Sequence, residues 1–224
     1  MAAVEEAGYE IVDDVLREEE CVAIIERLAE PGVERSRAGA RHLLALPAIA
    51  RLANDERLLS MVRATLGDGA IPFRVTLFDK SADANWSVAW HQDTALPLRE
   101  RFEAPGWGPW STKGGVSYAH APAAALERIL AVRVHLDAST PSNGPLRVVP
   151  GSHRLGVLSD DDVAAIAHST PAAECLIKRG GVLVMRPLLI HSSTRATSPA
   201  PRRVLHVEYA ESLQIAGGIA LATA

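Results

Sequence analysis

The sequence has few of the residues that mark disulfide scaffolds or thiolate metal sites. Only two of its 224 residues are cysteines, Cys21 and Cys175, and they lie too far apart along the chain to suggest a zinc or redox motif. We expect both to be buried thiols in a reducing cytoplasm. The net charge is −4 and the basic residues are scattered, which gives no electrostatic basis for binding nucleic acid or an anionic membrane.

Long apolar runs are also lacking. No stretch reaches 18 uninterrupted apolar residues, which is about the length that a transmembrane helix needs. The acidic start, MAAVEEAGYEIVDD, has neither the basic segment nor the apolar run of a signal peptide. We therefore expect a cytoplasmic protein whose partner is a small molecule, not nucleic acid and not a membrane. The pattern leaves its oligomeric state open.

What the sequence does contain is enough apolar material for a core, since 48% of its residues are hydrophobic and 22% are charged. Helical periodicity marks the first third. Apolar residues recur at helical spacing from about Arg17 to Glu30, and Pro31-Gly32 ends that pattern. A second helical stretch ends at Gly67 and can be capped internally by Asn54 or Asp55.

After Gly69, short β-rich runs separated by turn residues replace the helical pattern. The predicted strands are Phe73–Phe78, Ser87–Gln92, Leu130–Leu136, Leu146–Val149, Val182–Met185 and Val204–Tyr209. Between two of these runs, Asn143-Gly144 predicts a hairpin-like reversal, because Asn-Gly supplies the positive φ angles of a tight turn.

Two insertions interrupt the strands, Thr94–Pro122 and Leu155–Lys178. Both are longer than ordinary connections, and we expect lids, helical excursions or pocket walls there. The whole pattern predicts a single domain over residues 1–224, with a mainly helical part at 1–69 and a β core at 70–210.

A His-x-Asp triplet at the end of a predicted strand is the first candidate for a metal site. Residues i and i+2 of a strand point to the same side, so the side chains of His91 and Asp93 can converge while Gln92 faces away. Alone, such a triplet is ordinary. His191, at the end of a largely apolar run, supplies a second imidazole. Two histidines and one carboxylate with open positions suit non-haem Fe(II) oxygen chemistry.

A basic pair, Arg202-Arg203, opens a strand eleven residues beyond His191. An arginine can pair bidentately with a carboxylate, as a keto-acid cosubstrate would require. The alternative is a surface pair that protects a strand edge. Alternation puts His206 and Glu208 on the face of Arg202, and the opposite face is the more apolar. The pattern does not decide which face looks inward.

These elements, taken in order, resemble the phytanoyl-CoA dioxygenase family of 2-oxoglutarate oxygenases. The resemblance spans roughly Phe73 to Tyr209 and includes the stretch NGPLRVVPGSH from Asn143 to His153, similar to the N-G-x-L-x-x-x-P-G-S-H pattern typical of that family. It implies a mainly β fold with flanking helices (α+β). The implied core is a double-stranded β-helix of the jelly-roll, cupin-like kind, with the N-terminal helices packed on it.

The resemblance also implies a site and an activity. His91, Asp93 and His191 would hold Fe(II), and Arg202 with Ser193 would bind the distal carboxylate of 2-oxoglutarate. Dioxygen would be the second cosubstrate, and a small-molecule metabolite or natural-product intermediate would be hydroxylated with release of succinate and CO2. Related halogenases replace the carboxylate ligand, so Asp93 favours hydroxylation, although desaturation would use the same ligands.

Two other functions remain as alternatives: a cupin-like binding module without redox catalysis, and metal-assisted hydrolysis on zinc, which has no use for a carboxylate clamp. Of the other polar residues, His153 is expected to shape a turn and Lys80 to be a solvated strand-end lysine. Arg133 and His135 alternate with two valines, so one of these sets faces the barrel interior.

Overall fold

The computed structural model describes residues 1–30, 33–36, 39–81 and 84–224, apart from the side chain of Ala216. The α-helices in these ranges are α1 (Ala2–Ala7), α2 (Glu18–Ala29), α3 (Pro47–Ala53), α4 (Glu56–Leu66), α5 (Ala123–Leu126) and α6 (Asp160–Ser169). The strands are β1 (Tyr9–Val12), β2 (Arg35–Ser36), β3 (Gly39–Ala40), β4 (Ile71–Lys80), β5 (Val88–His91), β6 (Ala95–Leu98), β7 (Trp110–Lys113), β8 (Val116–His120), β9 (Ile129–His135), β10 (Leu146–Val148), β11 (Ala173–Cys175), β12 (Val182–Met185), β13 (His191–Ser193), β14 (Arg202–Ala210), β15 (Gln214–Ile215) and β16 (Ile219–Ala220).

Two antiparallel sheets form the core. The larger has the strand order β1-β12-β9-β14-β4-β3-β2 and the smaller has the order β11-β10-β13-β5. Apolar side chains from both sheets, among them Leu146, Val148, Leu183 and Met185, make one buried cluster. This is the jelly-roll, mainly β fold with flanking helices that the sequence predicts.

The N-terminal helices pack on the outer face of the larger sheet. Their apolar residues, such as Ile49 and Leu58, form one cluster with Val132 and Val207 of the sheet. Successive strand residues point to opposite faces, so the polar face of β14, which carries His206, looks into the interior. The more apolar face of β14 is therefore the one that meets the helices.

Most predicted elements are confirmed. The six predicted strands coincide with or overlap β4, β5, β9, β10, β12 and β14, and the first predicted helix corresponds to α2. Asp55 caps α4, since its Oδ1 accepts a hydrogen bond from the amide of Arg57 at 2.9 Å, and Gly67 follows the last helical residue. The predicted stop at Pro31-Gly32 lies outside the described residues.

The predicted hairpin at Asn143-Gly144 is wrong. This turn joins β9 in the larger sheet to β10 in the smaller one, so it carries the chain between sheets. The buried side chain of Asn143 holds the turn: Oδ1 accepts from the amide of Thr140 and Nδ2 donates to the carbonyl of Ala138, both at 2.8 Å. Turn chemistry specifies a local bend, and it does not specify which sheet receives the next strand.

The two insertions contain secondary structure of their own. The first forms the three-stranded sheet β6-β8-β7, and there Phe102 packs edge-on against Trp107 and Trp110, with ring centroids 5.3 Å apart in both pairs. The second contains α6. In the ranges that the structure describes, no helix has the length and apolarity needed to cross a membrane.

The turn at Gly144 leads to a stability prediction. Gly144 has φ of 70°, and a Cβ atom there would lie 2.4 Å from the carbonyl oxygen of Thr194. Gly115 has φ of 79° and open space around a Cβ, so Gly115→Ala should cost only the ~1–2 kcal/mol of left-handed backbone. Gly144→Ala should cost a further ~1–3 kcal/mol for displaced backbone. Urea denaturation of both variants measures the difference, and equal losses would contradict it.

Candidate active site

Three side chains, on or just after two neighbouring strands, converge at one point. His91 ends β5, and His191 begins β13 directly opposite it. The Nε2 atom of His91 lies 3.6 Å from Oδ1 of Asp93, and Nε2 of His191 lies 3.5 Å from Oδ2. One potential ligand atom from each of the three residues lies within 4.8 Å of the others. The structure thus brings together the three residues that the sequence singles out.

Both imidazoles are oriented by backbone carbonyls. Nδ1 of His91 lies 2.9 Å from the carbonyl oxygen of Ala89, and Nδ1 of His191 lies 2.8 Å from that of Leu189. A carbonyl only accepts hydrogen bonds, so the ring proton of each neutral imidazole belongs on Nδ1. The lone pair of each Nε2 is then free for a metal, as is usual where a carbonyl fixes the tautomer of a ligand histidine.

The pKa values of two of the three groups, Asp93 and His191, suit metal binding. Burial lowers the pKa of His191 to about 4. Burial alone would raise the pKa of Asp93, but the neighbouring imidazoles hold it well below its usual range. Burial also opposes protonation of His91, yet its hydrogen bond to Asp93 leaves the pKa of that imidazole raised. At neutral pH the site therefore presents an ionised carboxylate and a neutral His191, the forms that bind metal.

Gln92, between two of these residues, fixes the backbone of the site. Its side chain is buried. Nε2 donates to the carbonyls of Gly156 and Leu188 at 2.9 and 2.8 Å, and Oε1 accepts from the amide of Leu158 at 2.9 Å. One amide group thus ties β5 both to the segment before His191 and to the segment before α6.

The PGSH stretch supports His191 from the other side. The hydroxyl of Ser152 donates to the carbonyl of Val149 at 2.7 Å and accepts from the amide of Ile190 at 2.8 Å. His153 points elsewhere, with Nε2 3.3 Å from the carbonyl oxygen of Glu5 in α1. The hydroxyl of a turn residue therefore positions the residue before His191, whereas His153 contacts the N-terminal helix.

A second cluster, with two buried cations, lies at the same cleft, which Arg202 and Ser193 of this cluster line. Arg202 is 3% exposed, and its Nε and Nη1 atoms have no hydrogen-bond partner in the described part of the chain. Lys80 lies opposite Arg202 on β4. Its Nζ donates to the hydroxyl of Ser193 at 3.2 Å and to the carbonyl of Thr194 at 2.5 Å. Lys80 is only 1% exposed, so the expected solvated lysine is wrong.

Among the residues that the structure describes, neither cation forms an ion pair with a carboxylate. Burial, with repulsion from neighbouring arginines, lowers the pKa of Lys80 to about 8. Burial and the charge of Arg133 lower the pKa of Arg202 to about 9. A charge removed from water without a partner is costly. An anion that entered the cleft would relieve this cost at both side chains.

The neighbouring arginine is in the opposite situation. The backbone amide of Arg203 donates to Asp137 at 3.0 Å, and its Nε and Nη2 atoms donate to the same carboxylate at 2.7 and 2.9 Å. Arg203 is therefore already satisfied by a carboxylate of the protein. Of the two arginines that the sequence leaves open, Arg202 is the one that lines the cleft with the triad.

The sequence pattern names two further side chains at the site without assigning them to it. Arg133 lines the same cleft, and its Nη1 lies 3.1 Å from Nδ1 of His206. Nε2 of His206 lies 4.0 Å from Oδ2 of Asp93. Strand alternation carries the signal for both, because Arg133 sits between valines on β9 and His206 shares a face with Arg202 on β14.

The arrangement fits an iron site that also binds a keto acid. Two imidazole nitrogens and one carboxylate on a face are the donors of non-haem Fe(II) oxygenases. The guanidinium of Arg202 has unsatisfied donors at Nε and Nη1, and a carboxylate is the acceptor that suits a buried guanidinium.

Comparison with known proteins agrees with this geometry. The profile of the phytanoyl-CoA dioxygenase (PhyH) family matches residues 4–204. Ectoine dioxygenase from Sphingopyxis alaskensis is 27% identical over a 240-residue alignment that covers 90% of this chain and 71% of that protein. L-proline trans-4-hydroxylase from Streptomyces griseoviridis is 26% identical over 186 residues, 71% of this chain and 62% of that protein.

Solved structures of EctD from S. alaskensis share the fold. The structure with bound Fe has a TM-score of 0.72 at 26% identity and covers 95% of this chain and 75% of that chain. The structure with 2-oxoglutarate and 5-hydroxyectoine has a TM-score of 0.71 at 25% identity and covers 93% and 74%. With a family match over most of its length, this chain belongs to the phytanoyl-CoA dioxygenase family and is an oxidoreductase that uses Fe(II), 2-oxoglutarate and O2.

Proposed function

We propose that the enzyme hydroxylates a small-molecule metabolite or natural-product intermediate and releases succinate and CO2. The observation that supports this most directly is a single cleft lined by His91, Asp93, His191 and the unpaired Arg202. Such a cleft can hold a metal and an anionic cosubstrate side by side. A cupin-like module without redox catalysis would have no need for both features together.

In this proposal each group of residues has one task. His91, Asp93 and His191 hold the iron, and Arg202 with Ser193 binds the distal carboxylate of 2-oxoglutarate. The bound iron and keto acid supply the oxidising power, through oxidative decarboxylation of 2-oxoglutarate by O2. The protein positions these groups and limits their access to water.

The walls of the cleft suit that shielding task. Apolar side chains, among them Phe78, Trp86, Val88 and Leu146, line it together with the triad and Arg202. A low-polarity wall strengthens the attraction between a buried cation and a carboxylate, because fewer water dipoles screen it. We infer that the cosubstrate lies along this wall, with its two ends at the polar groups.

The names of the two curated relatives indicate the class of substrate. One is an ectoine dioxygenase and the other an L-proline hydroxylase, so both act on small molecules. We infer a small molecule here as well, and a shared fold gives no further detail about which one. A cytoplasmic location and a single domain over residues 1–224 remain predictions from the sequence.

The metal site is tested by spectroscopy without oxygen. Adding Fe(II) and 2-oxoglutarate to the metal-free protein should give the weak charge-transfer band near roughly 500 nm that a keto acid on an open Fe(II) site produces. His91→Ala should abolish the band, because it removes one of three ligands. His168→Ala, which alters an exposed histidine on α6, should leave it unchanged. A folded wild-type protein without the band would favour a binding module or a zinc site.

The proposed binding of 2-oxoglutarate by Arg202 is tested by substituting Arg202 and, as a control, its sequence neighbour Arg203. Arg202→Ala should weaken 2-oxoglutarate binding about 10- to 100-fold, the range expected when a charge-assisted pair is lost. Arg203→Ala should leave binding within about threefold and instead lower the stability, because it removes a partner of Asp137. Anaerobic titration of the charge-transfer band measures binding, and thermal unfolding measures stability. The reverse pattern would exclude Arg202 as the clamp.

The pKa of Lys80 predicts that the affinity for 2-oxoglutarate depends on pH. This pKa is lowered to about 8, so the ammonium is largely charged at pH 7 and largely neutral at pH 9. An anion prefers the charged form, and the affinity for 2-oxoglutarate should therefore fall as the pH rises through about 8. Lys80→Met should bind more weakly at pH 7 and lose most of this dependence. Titrations at pH 7, 8 and 9 measure it, and a wild-type affinity that stays constant would contradict it.

A further inference from the structure

A third buried cation, Arg133, lies in the cleft away from the corner formed by Lys80, Ser193 and Arg202. It projects from β9, where its Cα partner across the sheet is His206 on β14. Arg202 lies four residues before His206 on that same strand, and its Cα partner across the sheet is Lys80 on β4. Along β14, two inward-facing positions therefore separate the level of Arg133 from Arg202. Arg133 lies at the level of His206, the histidine that approaches Asp93.

The guanidinium of Arg133 is held firmly but is incompletely satisfied. Its Cζ lies 5.1 Å from the ring centroid of Phe78, and its Nη1 donates to Nδ1 of His206 at 3.1 Å. Its Nε is buried and has no hydrogen-bond partner among the described residues. Arg133 is 5% exposed. The contacts with Phe78 and His206 fix the plane of the group, and they leave a donor without an acceptor.

The carboxylates of the interior do not supply the missing partner. Glu208 is engaged by both Nε and Nη2 of Arg74. Asp93 is the carboxylate of the triad, and its two oxygens already face His91 and His191. Burial lowers the pKa of Arg133, and the charge of Asp93 offsets this only in part. In the described part of the interior, Arg133 thus has no carboxylate that is not already engaged by other side chains.

The charge balance indicates what the partner would be. Two cations, Arg133 and Arg202, line the cleft together with one carboxylate, Asp93. A third cation, Lys80, contacts the cleft residue Ser193 from behind. A 2-oxo dicarboxylic acid brings two negative charges. If its distal carboxylate lies between Lys80 and Arg202, its other carboxylate extends toward the triad, which is the level of Arg133.

We propose that Arg133 binds the 1-carboxylate of the 2-oxo acid cosubstrate, the carboxylate adjacent to the oxo group. This inference rests on the function proposed above. The pocket would then grip both ends of the dianion with separate arginines, Arg202 for the distal end and Arg133 for the end beside the metal. Arg133 would orient the reacting end of the keto acid, and Arg202 would select its length and charge.

Two keto acids that differ at one end distinguish the two arginines. The probes are 2-oxoglutarate and 2-oxopentanoate, which has the same five carbons but lacks the distal carboxylate. Calorimetric titration into the Fe(II)-loaded protein without oxygen gives the affinity for each probe. Arg133→Gln should weaken both acids by a similar factor of about 10- to 100-fold, because both carry a 1-carboxylate. Arg202→Gln should weaken 2-oxoglutarate alone.

Two results would overturn the inference. The first is that Arg133→Gln binds both acids as tightly as the wild type does. Arg133 would then not bind the keto acid and would be available to bind an anionic substrate. The second is that Arg133→Gln weakens 2-oxoglutarate alone, which would assign Arg133 to the distal corner. Failure of the wild-type protein to bind either acid would count instead against the proposed function, so the two failures are distinguishable.

A second variant separates binding from folding. Arg133→Lys keeps the charge but replaces the planar guanidinium by a single ammonium, and it should lose part of the affinity for both acids. Thermal unfolding of the unliganded variants reports whether they are folded. Arg133→Gln removes the repulsion of Arg133 with Arg202 and Lys80, so the unfolding temperature of this variant should not fall. If Arg133 had only a structural role, the substitution should lower the unfolding temperature.

Discussion

Unbalanced positive charge inside the barrel is the constraint on which the site depends. A folded chain seldom buries a guanidinium without a partner, because the desolvation cost is several kcal/mol per ion. This chain buries Arg202 and Arg133 with donors that have no partner among the described residues, and it buries Lys80 beside Arg202. Repulsion among the three is part of the cost of a preformed anion site. The well-packed sheets and helices on either side stabilise the fold enough to maintain it.

Rigid backbone contacts complement this charged interior. The hydrogen bonds of Gln92 connect the strand of His91 with the residues before His191, and Ser152 holds the amide of Ile190. Ligand atoms on strands are positioned more accurately than ligand atoms on free loops. Each imidazole is also oriented by a carbonyl only two residues away. The donors of the site are thus oriented by the protein's own backbone contacts.

How much of the site the sequence could predict differs between its residues, because some follow from local patterns and others from tertiary contacts. Period-2 alternation suffices to place His91 and Asp93 on one side of a strand, and an apolar run suffices to bury His191. The burial of Lys80 depends on the turn at Gly144, which closely approaches its Nζ, and no local pattern carries that information. Alternation separates Arg133 from the valines beside it, but every residue of β9 is buried, so the pattern could not show which of the two faces looks into the cleft. Which sheet the strand after the turn at Asn143 joins likewise depends on tertiary contacts, which the local sequence does not show.

The pairing of Arg203 with Asp137 has a consequence for how the chain can vary. The carboxylate holds both the side chain and the backbone amide of Arg203, so it sets where β14 starts relative to β9. The interval of eleven residues between His191 and Arg202 is then an outcome of that anchor. Insertions or deletions in the connection before β14 could accumulate during evolution without displacing the guanidinium that follows. Relatives with a different interval could therefore keep the same geometry, provided that they keep the acidic anchor.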